Sequence, residues 1–119
     1  MPELTAKTFE KLIRNEDTIA LITFYASWCA PCRLQLPVIE AIEKEYQDPY
    51  ILIGTIDVDQ EEGVANELEV RTIPCTLLYA NGEMVEALSG FQQEEFLRAY
   101  LDHLITAREE QQEIISGSK

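Results

Sequence analysis

"YASWCAPCRLQLP", residues 25–37, places two cysteines three positions apart, with a tryptophan before them, a proline between them and another proline five residues on. It overlaps the end of a near-continuous β-rich run, "TIALITFYA" (18–26), the pattern of a strand buried on both faces. Downstream of Pro31, Leu34, Val38, Ala41, Ile42 and Tyr46 recur at helical spacing, with Glu40, Glu43, Lys44 and Glu45 largely opposite. A strand that passes into a helix at a Cys-x-x-Cys pair organises everything around it. Pro31 suits a first helical turn, where its missing N–H leaves no bond unmade. Residues i and i+3 of a helix face the same way, at a separation compatible with a disulfide. Cys29 then falls at the helix N-terminus, where unpaired N–H groups and the positive end of the dipole favour thiolate. Cys32, one turn in, is expected to be less exposed.

Two thiols this close can staple a turn, hold a metal or exchange with other disulfides. Stapling is a weak reason, because closing so small a loop contributes roughly 2 kcal/mol at most. A metal needs four ligands as a rule, and the chain offers only Cys29, Cys32, Cys75 and His103, with no second Cys-x-x-Cys. Exchange suits the pair best. One thiolate attacks a target disulfide, and its neighbour releases the mixed disulfide in an effectively intramolecular step.

Outward from this stretch, Phe9, Leu12 and Ile13 predict a first helix over 5–15. "YILIGTIDVD" (50–59) reads as a second buried strand after the "DP" stop at 48–49, and "QEEGVANELEV" (60–70) as a short helix. "CTLLYA" (75–80) turns at Asn81-Gly82 into "EMVEALS" (83–89), a strong hairpin signal. From Gln92, Phe96, Leu97, Tyr100, Leu101, Leu104 and Ile105 mark a last helix, which continues through "TAREEQQE" towards a fraying "SGSK". Helix, strand, helix, strand, helix, hairpin, helix predicts an α/β domain of three layers, its mixed sheet covered on both faces.

The 119 residues suffice for one domain with a core of its own. A formal net charge of −13 argues against nucleic acid and anionic membrane as partners. The charged N-terminus has no apolar signal region, and the longest apolar run is too short to cross a bilayer. A cytoplasmic protein is expected. Three cysteines, an odd number, form no disulfide framework, and a reducing compartment keeps them as thiols unless one pair cycles.

"WCAPC" resembles the WCGPC motif of the thioredoxin family, with Ala30 in place of glycine. Pro37 matches that family's helix-kinking proline, "VRTIP" (70–74) resembles the segment before its cis-proline, and "NGE" (81–83) and Gly90 recur at matching spacing. The resemblance covers residues 5 to 105. It implies a thioredoxin fold with a sheet of four or five strands and the dithiol at the end of a central strand. The implied activity is reduction or exchange of protein disulfides, with Cys29 as nucleophile and Cys32 as resolving thiol. Further implied are a cis Ile73–Pro74 bond, Pro74 standing against the cysteines, and backbone at Thr72 and Ile73 that grips an extended target by strand addition. Trp28, Pro31, Pro74 and Gly90 then form a flat apolar platform, although Trp28 also reads as a core aromatic.

Besides Ala30, three departures from the family bear on mechanism. Thr23 replaces the buried aspartate six residues before the first cysteine, and Thr55 replaces its lysine partner, a joint loss that leaves no unpaired buried ion. A threonine hydroxyl is a poor base, so release by Cys32 is expected to be slower or to rely on water or a substrate group. Cys75 follows Pro74, where the family carries threonine, and reads either as a third redox thiol or as a small buried hydrophobe. Arg33 stands where lysine is common, and His103 reads as a surface histidine of the last helix.

The expectations are therefore a thioredoxin-like domain over 1–107 and a polar helical extension and tail over 108–119, in which Ile114 and Ile115 offer a docking edge. The protein is expected to be a monomer serving electron transport and cell redox homeostasis. It binds no cofactor and draws electrons from a reductase or another dithiol protein. The rival reading is a redox-weak binding or chaperone-type module that uses the same groove.

Overall fold

Thr5 starts the first helix. Its hydroxyl accepts the Thr8 N–H at 3.3 Å while the Thr8 hydroxyl accepts the Thr5 N–H at 2.8 Å. This reciprocal cap satisfies donors that a helix end otherwise leaves orphaned. The helix it opens, α1 (Ala6–Ile13), carries Phe9 and Leu12 into the core. The computed structural model describes residues 3–14 and 17–117, so Asn15 of the expected first helix and residues 118–119 of the expected tail lie outside the described residues, as do the side chains of Ile13 and Ile115.

The chain continues as β1 (Ile19–Tyr25), α2 (Ala30–Glu45), β2 (Ile51–Asp57), α3 (Glu62–Glu67), β3 (Cys75–Ala80), β4 (Glu83–Ser89) and α4 (Glu94–Gly117). The strands lie in the order β2-β1-β3-β4, with β1 parallel to β2, antiparallel to β3, and β3 antiparallel to β4. Asn81 and Gly82 both take positive φ, 56° and 77°, as a tight hairpin turn needs. Among the described residues a fifth strand is reduced to one parallel bridge, Glu3 to Thr55.

Because β1 is central, its alternate residues feed two cores. Ala20, Ile22 and Phe24 meet Phe9 and Leu12 of α1 and Val64 and Ala65 of α3. Ile19 and Leu21 meet Ile39 and Ile42 of α2 and Leu97 and Leu101 of α4. The result is the expected mixed sheet flanked by helices. Among the described residues no helix is long and apolar enough to cross a membrane.

Two helical stripes differ from the sequence reading. The buried side of α2 is Cys32, Gln35, Ile39 and Ile42, and Leu34 is 66% exposed. At 100° per residue, phasing the stripe on Leu34 turns the helix away from the face that Cys32 defines. In α4, Phe96 is exposed and meets Tyr100 edge-on, with a centroid separation of 6.2 Å.

Candidate active site

β1 delivers the chain to the site. Past Tyr25, the Ala26 carbonyl accepts the Cys29 N–H at 3.2 Å, and this turn sets Cys29 as the extended N-cap of α2 (φ −85°, ψ 112°). The Cys29 sulfur accepts the Cys32 N–H at 3.3 Å. Sulfur thus takes the place of the oxygen that usually caps a helix, and an anion there would meet the positive end of the dipole. Ala30 opens the helix one residue before the expected Pro31, which occupies the second position. Pro37 lies inside the helix.

Both thiols are free, with Cys29 5% and Cys32 1% exposed. Burial first, and then the hydrogen bond with Cys29, push the Cys32 thiol up to about 11. The Cys29 thiol faces the Ile73 carbonyl at 3.7 Å, and the next peptide bond, Ile73–Pro74, is cis. Thr72 is exposed, Ile73 half-buried and Pro74 buried. Pro74 therefore contributes shape and a carbonyl rather than exposed surface: its oxygen accepts the Gly90 N–H at 2.8 Å. Gly90 has φ +82°, and a Cβ there would meet nothing within 4 Å, so conformation rather than space calls for glycine.

Trp28 is 66% exposed and donates its Nε1–H to Asp59 at 2.8 Å, which rules out a core role. Pro31, three residues on, is also exposed, and Leu34 follows one turn along the same helix face. Phe91, next to Gly90, is also exposed.

Of the remaining candidates, Cys75 belongs to a different hydrophobic cluster from the pair. Cys75 lies in the α1 and α3 core, opposite Phe24 and Ser89, and burial raises its thiol. Among the described hydrophobic residues, Ile73 and Val58 pack against both that core and the cluster of Ala26, Cys29 and Cys32. Thr23 and Thr55 are register partners, yet the fully buried Thr23 hydroxyl pairs with Thr76 at 2.9 Å, and Thr55 donates to Glu3 at 2.5 Å. His103 and Arg33 are exposed. Among the described residues no three His, Cys, Asp or Glu side chains gather as a metal site.

Several neighbours escaped the sequence reading. Tyr25 packs against the dithiol cluster and donates to Glu3 at 2.5 Å, with burial first and then that carboxylate holding the phenol well above its usual range. Gln35 is fully buried and paired with the Gln92 backbone. Its spacing of three from Cys32 was the available signal.

The thioredoxin family model matches residues 1–103. Thioredoxin from Buchnera aphidicola subsp. Acyrthosiphon pisum is 32% identical over 103 residues, 87% of this chain and 94% of that protein. Thioredoxin from Buchnera aphidicola subsp. Baizongia pistaciae is 36% identical over 103 residues, covering 83% and 94%. Among solved structures, Malassezia sympodialis thioredoxin (Mala s 13) shares the fold with a TM-score of 0.75 at 24% identity, covering 86% of this chain and 88% of its own. A chain from work on thiol resolution in yeast mitochondrial 1-Cys peroxiredoxin via glutathione/thioredoxin systems has a TM-score of 0.75 at 27% identity, covering 87% and 95%. A dithiol capping a helix beside a cis-proline, on a sheet shared with these relatives over most of both chains, leads to one assignment: the chain belongs to the thioredoxin family and is a thiol–disulfide oxidoreductase.

Proposed function

We propose that Cys29 is the nucleophile and Cys32 the resolving thiol. The Cys29 thiolate attacks a target disulfide, joins one target sulfur in a mixed disulfide and expels the other as thiolate. Cys32 then loses its proton and attacks the Cys29 sulfur. A Cys29–Cys32 disulfide forms, the second target sulfur leaves, and the target has gained two electrons. A reductase or an upstream dithiol protein returns the pair to the reduced state, and no bound cofactor takes part.

The observation that carries this reading is the asymmetry of the pair: Cys29 accepts a backbone N–H at the helix mouth, while the thiol of the deeper Cys32 is pushed to about 11. Thr72, Ile73 and Pro74 form the wall that holds the target strand, with Trp28, Pro31 and Gly90 as the surface around it. Thr23 and Thr55 tune the release step by the charge they lack. Cys75 takes no part in exchange, since its place in the core under α1 and α3 supports a packing role. Residues 1–107 are the catalytic domain and 108–119 an extension of a monomer that works in the cytoplasm, in electron transport and cell redox homeostasis.

The two cysteines are separable by trapping. With insulin as target, Cys32→Ser accumulates a mixed disulfide through Cys29, resolved by mass spectrometry, while Cys29→Ser accumulates none and loses turnover at least 1,000-fold (on the order of a missing nucleophile). A mixed disulfide on Cys32 in the Cys29→Ser protein, with turnover retained, would reverse the assignment.

A further inference from the structure

Gln35 is a fully buried polar side chain on the same face of α2 as Cys32, one turn further in. Its amide does not point at another side chain. Its Nε2 donates to the Gln92 carbonyl at 3.1 Å, and its Oε1 accepts the Gln92 N–H at 2.6 Å. One side chain thereby pairs both backbone groups of a residue in the coil between β4 and α4, as a neighbouring strand would. The Gln92 side chain in turn donates to the Ser89 carbonyl at 3.2 Å and the Gly90 carbonyl at 3.4 Å.

These bonds close a ring around the groove. The Cys29 sulfur faces the Ile73 carbonyl, the Pro74 carbonyl accepts from Gly90, Gly90 leads through Phe91 to Gln92, and Gln92 is clasped by Gln35 one turn from Cys32. The dithiol helix, the Ile73–Pro74 segment and the Gly90–Phe91 rim are tied to one another, and the clasp is the only side-chain link from α2 to that rim among the hydrogen bonds of the described residues.

We propose that Gln35 is a positioning residue for protein substrates: it fixes the Gly90–Phe91 rim against the dithiol helix, so that an extended protein segment fits between rim and cysteines. It touches no reacting atom, so its effect falls on recognition of a protein disulfide and not on attack at sulfur. This rests on the reading of the surface around Trp28 and Pro74 as the substrate groove.

Two variants and two substrates test it. In Gln35→Met the Gln92 N–H and carbonyl both lose their partner. In Gln35→Glu an ionised carboxylate still accepts the N–H but opposes the carbonyl, whereas a protonated carboxyl restores both bonds. Insulin is the protein substrate, and 5,5′-dithiobis(2-nitrobenzoic acid) is a small disulfide that needs no rim. Expected is a rise of at least five-fold in KM for insulin in Gln35→Met, with kcat, the small-disulfide rate and the dithiol midpoint potential within two-fold or unchanged. Relative to wild type at each pH, KM of Gln35→Glu is expected to be raised at pH 8 and to return towards wild type at pH 5. If Gln35→Met does not fold, the Gln35→Glu pH series decides by itself. Equal slowing of both substrates, or an unchanged insulin KM in either folded variant, overturns the proposal. Trp28→Ala separates the levels. If it raises insulin KM and the Gln35 variants do not, the clasp fails alone; if neither raises it, the groove reading fails with it.

Discussion

Thr23 concentrates the question of how Cys32 loses its proton. Its hydroxyl is fully buried and paired with Thr76, so it has neither the charge nor a spare lone pair aimed by necessity at sulfur. In the proposed release step, burial still holds the Cys32 thiol above its ordinary value, so its deprotonation at neutral pH is expected to need a base. Thr23→Asp supplies one. Burial raises the pKa of that carboxyl in the folded protein above its unfolded value of about 4, so the unfolded state binds fewer protons between the two values. Stability of the variant therefore falls as pH rises through that window, with a full cost of roughly 3 kcal/mol once the unpaired carboxylate is ionised. Over the same rise in pH, single-turnover insulin reduction is expected to accelerate relative to wild type. A wild-type-like pH profile in a folded Thr23→Asp protein would remove the release step from this account. Such a position is legible in sequence as a departure from the family, but its true partner is not: Thr23 was paired with Thr55 by analogy, whereas the register also sets it opposite Thr76, 53 residues away. The bond of Tyr25 to Glu3 spans 22 residues and was equally invisible.

At the scale of elements, local signals and long-range ones divide in the same way. The Asn81-Gly82 turn, the buried runs of β1 and β2 and the dithiol at the strand-to-helix junction depend on neighbours in sequence, and all were readable. The phase of α2 was not. Leu34 looks like core and Gln35 like surface until one knows that the Gln92 backbone meets Gln35 from a different element. α3 offers a further case. Its C-cap is Leu68, and Glu69 takes φ 58°; the Glu69 N–H bonds the Asn66 carbonyl at 3.1 Å and the Val70 N–H bonds the Ala65 carbonyl at 2.9 Å. This is a Schellman ending, whose left-handed position is normally glycine. A side chain there carries a left-handed penalty of about 1 kcal/mol. Glu69→Gly is expected to raise stability by up to that amount, a gain in Tm of roughly 3–5 °C at this length, with insulin reduction unchanged. A lower Tm would show that the glutamate side chain contributes more than its backbone costs.

Across the whole molecule, the two ends of the sheet serve different tasks. The dithiol lies past the C-terminal end of β1, beyond Tyr25. The extension is anchored at the other end: Arg108 donates to the Asp17 carbonyl at 3.1 Å and lies 4.0 Å over the Tyr50 ring, at the segments that enter β1 and β2. Seven strand residues separate the two regions, about 20 Å at the usual rise. α4 runs without interruption to Gly117, well past residue 103, where the family match ends. A half-buried cation over a ring contributes about 1 kcal/mol, and the bond to Asp17 adds about 1 kcal/mol. Ending the chain after Ala107 is therefore expected to lower the urea unfolding free energy by about 1–2 kcal/mol. Arg108→Ala in the full chain should account for most of that loss, because Ile114 and the glutamates and glutamines around it are exposed. The kcat/KM for insulin should stay within two-fold in both proteins. A larger loss of activity on truncation, with stability intact, would mean that the extension reaches the chemistry by a route other than packing, and would place the domain boundary beyond residue 107.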